Sequence, residues 1–153
     1  MSTIKPQIKS SFAFETQEEV LDIPHASKPL LIGIPKEIAF QENRIGLTPD
    51  AVSVLVANGH LVMVESMAGV GSRYTDNDYS EAGAKIVFEK EAVYKCPILV
   101  KTAPPVEADL PYLQMHQTII SPLHLSALKK ELIEKLMAKK ITALSIENIK
   151  DEN

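Results

Sequence analysis

GIPKEIAFQENRIGLTP, residues Gly33 to Pro49, reads as a strand end, a polar loop and a helix start in that order. A short apolar strand from Leu30 to Ile34 runs into it, and Thr48 offers an N-cap with Pro49 at the first helical position. Arg44 therefore stands between the C-terminal end of a strand and the next helix, where open α/β sheets bind ligands. It is one of two arginines in a chain whose other basic residues are fourteen lysines. A guanidinium presents a fixed fork of donors that fits a carboxylate bidentately. The alternative is internal: Glu37 and Glu42 belong to the same loop, and pairing with either leaves Arg44 a solvated surface residue.

Outward from this stretch the alternation repeats. Strands are predicted at Leu30 to Ile34, His60 to Glu65, Lys85 to Phe88, Pro97 to Lys101, Gln117 to Ser121 and Ile141 to Ser145. Between them, helices are predicted at Pro49 to Asn58, Asn77 to Ala82, Glu89 to Lys95 and Ser126 to Lys139, with a short one at Ala108 to Gln114. In the first helix Ala51, Val52, Leu55 and Val56 share one face, and Asn58-Gly59 supplies a left-handed cap. In the last, Leu128, Leu132, Ile133, Leu136 and Met137 form the apolar stripe, with Glu131 and Lys135 spaced as an i,i+4 pair. The strands are continuous apolar runs, as strands buried on both faces are. The expected fold is α/β: an open, mostly parallel sheet with helices on both faces, Rossmann-like or flavodoxin-like. Residues 1–28 read as a polar N-terminal extension and residues 29–153 as the domain.

The chain has 153 residues, 45% hydrophobic and 24% charged, which suits one domain with a real core. Net charge is −4, without basic clusters or interleaved aromatics, so nucleic acid is not an expected partner. The apolar runs are of strand length, which excludes a membrane-spanning helix, and the N-terminus lacks the apolar core of a signal peptide. Cys96 is the only cysteine. An internal disulfide is excluded, a reducing cytoplasm is expected, and the thiol reads as packed rather than reactive.

Four histidines are present. His25 falls in the extension, His60 follows the Asn58-Gly59 turn, and His116 reads as loop. His124 differs, because it follows Pro122 at the C-terminal end of a predicted strand and precedes a helix, on the same sheet edge as Arg44. Lys101 closes another strand at that edge. On position alone His124 is either a structural histidine or a member of a site. Gly69-Val70-Gly71-Ser72 looks like a phosphate loop but lacks the third glycine of the dinucleotide fingerprint and is read as a turn. Metal-ligand spacing is absent, and no carboxylate pair or Ser-His-acid arrangement stands out.

The Gly33–Pro49 block resembles the opening motif of the alanine dehydrogenase and nicotinamide nucleotide transhydrogenase family, G-[IV]-P-K-E followed by E-x-R-V-A-L-T-P. The likeness continues through NGHLVMVESMAGVGSRYTDNDYSEAGAKI (Asn58 to Ile86), ILVKTAPP (Ile98 to Pro105), LHL (Leu123 to Leu125) and ITALSIE (Ile141 to Glu147). It does not reach the extension. It implies the substrate-side domain of a two-domain enzyme whose other domain carries G-x-G-x-x-G and binds NAD; this chain is expected not to bind NAD itself. The implied reaction is the reversible oxidative deamination of L-alanine to pyruvate and ammonia. His124 matches the catalytic histidine of an F-x-x-L-H-L context and implies a general acid–base. Arg44 is implied to clamp the substrate carboxylate and Lys101 to polarise the carbonyl. The family's K-V-K-E-P segment is V-K-T-A-P here. Matching the proline sets Thr102 at the family's second, substrate-contacting lysine, and matching the first lysine sets Ala103 there. Positions two apart on a strand point the same way, which aims Lys101 into the same cleft. Other readings are a transhydrogenase α-subunit, an opine-type dehydrogenase, and a non-catalytic binding or assembly module. Relatives complete this domain with a returning C-terminal segment, so uncovered apolar surface and a homo-oligomer are expected.

Overall fold

Six strands form one sheet in the order β3-β2-β1-β4-β5-β6, and every neighbouring pair is parallel. They are β1 (Leu31–Ile34), β2 (Leu61–Glu65), β3 (Lys85–Val87), β4 (Ile98–Val100), β5 (Thr118–Ser121) and β6 (Thr142–Ser145). The computed structural model describes residues 28–39 and 41–148; His25 and the extension before Lys28 lie outside the described residues. The helices are α1 (Pro49–Ala57), α2 (Asp76–Glu81), α3 (Lys90–Val93) and α4 (Lys130–Ala138), with 3-10 turns at Val70–Ser72, Glu107–Asp109 and Ile146–Asn148.

Strand alternation sorts the apolar residues onto two faces. Ile34, Val62 and Val64 pack beneath Val52 of α1 and Tyr79 of α2. Leu99 and Ile119 pack on the opposite face with Val93 of α3 and with Leu132 and Leu136 of α4. Gly33 faces this second layer, where an added Cβ would come within 2.6 Å of the Val93 carbonyl oxygen; only hydrogen fits, which lets α3 press against β1. Cys96 is buried in the same layer, and burial pushes its thiol up to about 11. It is a packed thiol. On the α1/α2 face, Ile120 and Leu144 stand in register on β5 and β6, and Leu144 remains 48% exposed. No helix of the described residues covers that half.

Strand positions agree with the sequence to within one residue at each end. Several helices are shorter than expected. α4 begins at Lys130 rather than Ser126, because His124 takes a left-handed φ of 44° and its carbonyl accepts from the Ala127 N–H at 2.7 Å, closing a tight turn. Leu128 still packs on the core from this loop, whereas Met137 is exposed. The i,i+4 pair on α4 is Lys130–Glu134 at 3.7 Å, not Glu131–Lys135. The expected helix at Ala108 to Gln114 is the single 3-10 turn Glu107–Asp109. Thr48 caps α1, its Oγ1 accepting from the Ala51 N–H, and Gly59 ends it at φ 84°.

Candidate functional site

In this strand order the chain turns back on itself between β1 and β4, so a crevice opens beyond their C-terminal ends. The loop from β1 to α1 forms one wall. It is pinned on three sides. Gly46 lies so close to β4 that a Cβ would meet the Val100 carbonyl oxygen at 2.8 Å, the Tyr79 hydroxyl donates to the Leu47 carbonyl at 2.8 Å, and Ser72 Oγ donates to the Asn43 carbonyl at 2.9 Å. The Gly69–Ser72 segment is a 3-10 turn packed on that loop. Arg44 donates from Nε to Oε1 of Glu42 at 2.8 Å and from Nη2 to Oε2 at 2.6 Å, and its backbone N–H also reaches Oε1. These bonds hold the Glu42 carboxyl at about 2 and raise the guanidinium. Of the two sequence alternatives, the internal pair is present. Arg44 nonetheless lines a cavity of about 240 Å³ with Lys36, Glu37, Met67 and Val70.

Glu37 closes the crevice from below. Its Oε1 accepts from the backbone N–H of Thr102 at 2.6 Å and of Ala103 at 3.3 Å, and its Oε2 from Lys101 Nζ at 2.9 Å. Lys101 also stands 3.5 Å from Asp109, and both side chains are almost wholly buried. Asp109 accepts from the Tyr94 hydroxyl at 2.6 Å and from the Val106 N–H at 3.0 Å, with Lys90 at 3.4 Å. Burial alone would raise the Asp109 carboxyl, but the Lys101 charge, the Tyr94 hydroxyl and the other partners outweigh it and hold it below the carboxylate range. Burial, followed by the Asp109 charge, drives the Tyr94 phenol upward. Two lysines and two carboxylates neutralise one another here, which is how buried charges are tolerated. Thr102, one of the two positions aligned with the family's second lysine, donates from Oγ1 to the Arg44 carbonyl at 3.3 Å and ties β4 to the arginine loop.

His124 sits past β5, exposed, with Nδ1 3.1 Å from Oε2 of Glu147. It lines a second, largely apolar cavity of about 350 Å³ with Pro104, Pro105, Leu128 and Leu132. All three expected residues thus follow C-terminal ends of parallel strands. Their side chains do not surround one point. Arg44 and His124 line different cavities, and Lys101 lies buried, linked to the arginine cavity through Glu37. The divergence has a cause: the arginine loop leans toward the Gly69–Ser72 turn, and His124 is turned by its own left-handed backbone. Asp109 and Glu147 escaped the sequence reading, and Glu37 entered it only as a candidate partner of Arg44. The partners these three have are 8, 23 and 64 positions away, and no local pattern announces them.

Among the described residues no three His, Cys, Asp or Glu side chains cluster as metal ligands, and no helix is long and apolar enough to cross a membrane. The β1 turn lacks the glycine fingerprint of a dinucleotide site, and the backbone N–H groups of Thr102 and Ala103 at the end of β4 are taken by the Glu37 carboxylate.

Comparison with known proteins gives one direction. The family described as "Alanine dehydrogenase/PNT, N-terminal domain" matches residues 33–153. "Alanine dehydrogenase 2" of Staphylococcus aureus (strain USA300) is 41% identical over 118 residues, which cover 77% of this chain and 32% of the relative. "Alanine dehydrogenase" of Staphylococcus epidermidis is 40% identical over the same length. The chain therefore spans about a third of the length of these relatives. Among solved structures, an L-alanine dehydrogenase superposes with TM-score 0.77 at 39% identity, over 81% of this chain and 34% of that one. A transhydrogenase from Sinorhizobium meliloti superposes with TM-score 0.70 at 24% identity, over 76% of this chain and 33% of that one, and shares the fold.

Proposed function

The chain belongs to the alanine dehydrogenase/PNT family, as its N-terminal domain, and on that premise we propose that it is the substrate-side domain of an NAD-dependent alanine dehydrogenase. NAD accepts or returns the hydride in such an enzyme, and a part of the protein outside this chain would hold it. The chain's own residues bind and protonate. Arg44 holds the carboxylate of L-alanine or pyruvate. His124 gives and takes the proton as ammonia is exchanged for water, which requires the cavity it lines to close toward the one that Arg44 lines. Lys101 lies beneath the crevice with its charge balanced by Glu37 and Asp109, and its ammonium fixes Glu37 there.

One observation carries the reading: the Arg44 fork already grips a carboxylate through Nε and Nη2. A substrate carboxylate is the same group and would displace Glu42. The test is NADH-dependent amination of pyruvate by a full-length protein carrying this domain. Arg44→Ala is expected to raise KM for pyruvate by about 10- to 100-fold, as loss of a charge-assisted hydrogen bond does. His124→Ala is expected to lower kcat by about 10²- to 10⁴-fold. No amination of pyruvate, together with hydride exchange between NADH and an NADP analogue, would favour the transhydrogenase reading instead. By itself the chain is expected to be inactive and to bind no NAD at micromolar concentration.

The proposal extends to a cytoplasmic location, supported by the lone packed thiol, and to assembly. The half-covered β5–β6 face exposes Leu144, with Ile146 beyond it, and surface of this kind drives association. Light scattering is expected to give a mass above the 16.8 kDa of one chain; a monomer at high concentration would refute it.

A further inference from the structure

Met67 keeps a backbone conformation that its side chain does not favour. Its φ is 62°, in the left-handed region, where a residue with a Cβ meets steric resistance. Asp76, at the start of α2, holds it there: Oδ1 accepts from the Met67 N–H at 2.7 Å and Oδ2 from the Ser66 hydroxyl at 2.6 Å. Core packing does not offset this strain, because the Met67 side chain is 55% exposed. Glycine adopts such a backbone without resistance, so the side chain is not what the turn needs. It lines the Arg44 cavity instead.

The walls of that cavity divide by chemistry. Arg44 and Lys36 mark the charged side, and Met67, Ala68 and Val70 make up the apolar side. A 2-oxo acid whose carboxylate lies on Arg44 has one carbon chain left to place, and an apolar chain goes to the apolar wall. Ala68 is buried with the α1/α2 core and gives a fixed floor. Met67 is the long, adaptable member of the wall. We propose that Met67 is a specificity-determining residue: its side chain fills the space into which a longer 2-oxo acid would extend, and so favours the methyl group of pyruvate or L-alanine. The inference rests on the functional reading above for the carboxylate on Arg44. The strained turn held by Asp76 is what sets the Met67 side chain at the cavity.

The test compares kcat/KM for amination of pyruvate, 2-oxobutyrate and 2-oxovalerate by a full-length protein carrying this domain. In the wild type the value is expected to fall along the series. Met67→Ala and Met67→Gly are both expected to raise the ratio of 2-oxobutyrate to pyruvate by about tenfold, the discrimination one methylene supports. Met67→Gly should melt no lower than the wild type, because glycine relaxes the turn. An unchanged ratio, or equal losses on all three acids, would overturn the proposal. A ratio that moves only in Met67→Gly would assign the effect to the backbone and overturn it too. A second readout does not need turnover: the Met67 methyl and Arg44 Nε–H signals of the chain, followed by NMR as each acid is added at millimolar concentration. Binding is expected to weaken from pyruvate to 2-oxovalerate, and Met67→Ala to flatten the series. No response at Met67 to any acid would overturn the proposal. If the full-length protein does not aminate pyruvate while the binding series behaves as expected, the dehydrogenase reading fails and the role of Met67 stands.

Discussion

Arg44 and Glu42 show what one ion pair does to a loop and to its acidity. The Arg44 hydrogen bonds depress the Glu42 carboxyl from an ordinary 4.5 to about 2. A carboxyl depressed on folding contributes stability that is present above its unfolded value and lost as pH falls through the folded one. The stability that the pair contributes is thus expected to be full above about pH 4.5 and to decline below it, while the pair itself persists until the pH approaches about 2. A carboxyl titration followed by NMR should place Glu42 near the lower limit, and Arg44→Ala should return it toward 4.5. A wild-type midpoint near the ordinary value would show that the pair does not form in solution. This partner was legible in the sequence because it lies two positions away. Glu37 was legible only as a second partner for Arg44, since its contacts with Lys101 and Thr102 bridge separate strands. What decides such a contact is strand order, which a local pattern does not contain.

At the scale of elements, the strands were easier to read than the helices. Each strand is a run of apolar residues that must be covered on at least one face, and the run marks its own limits. Helix starts depend on capping and on the chain's direction of entry. Thr48-Pro49 announced α1 because both signals are local. Nothing local announced that His124 would turn the chain and delay α4 by four residues, since the contact that steadies His124 comes from Glu147, beyond β6. The i,i+4 pair on α4 was misread for a related reason: Lys130–Glu134 and Glu131–Lys135 have the same spacing, and on an exposed surface neither is strongly preferred.

For the molecule as a whole, alternation of strand and helix was enough to indicate a parallel sheet, and the resemblance named the family. The order β3-β2-β1-β4-β5-β6 was not legible, because it records which strand the chain returns to after β3. That return creates a seam. The two halves of the sheet meet at β1 and β4 through the register pairs Ile32–Ile98 and Gly33–Leu99, and Glu37 clips them together above that line. The clip joins residues 64 to 66 positions apart, which has a consequence in time. Contacts so distant in sequence are rewarded only after much chain has been ordered, so the clip is expected to form on the native side of the folding barrier. Glu37→Ala should then leave the refolding rate almost unchanged. Unfolding should accelerate by roughly two to four powers of ten if the buried cluster is worth about 3–5 kcal/mol. Stopped-flow denaturant jumps separate the two arms, and a slowed refolding arm would mean that the halves join before the barrier. With the expected outcome, Glu37 would act as a brake on escape from the native state: the crevice that receives a ligand would also set how long the domain lasts before it opens.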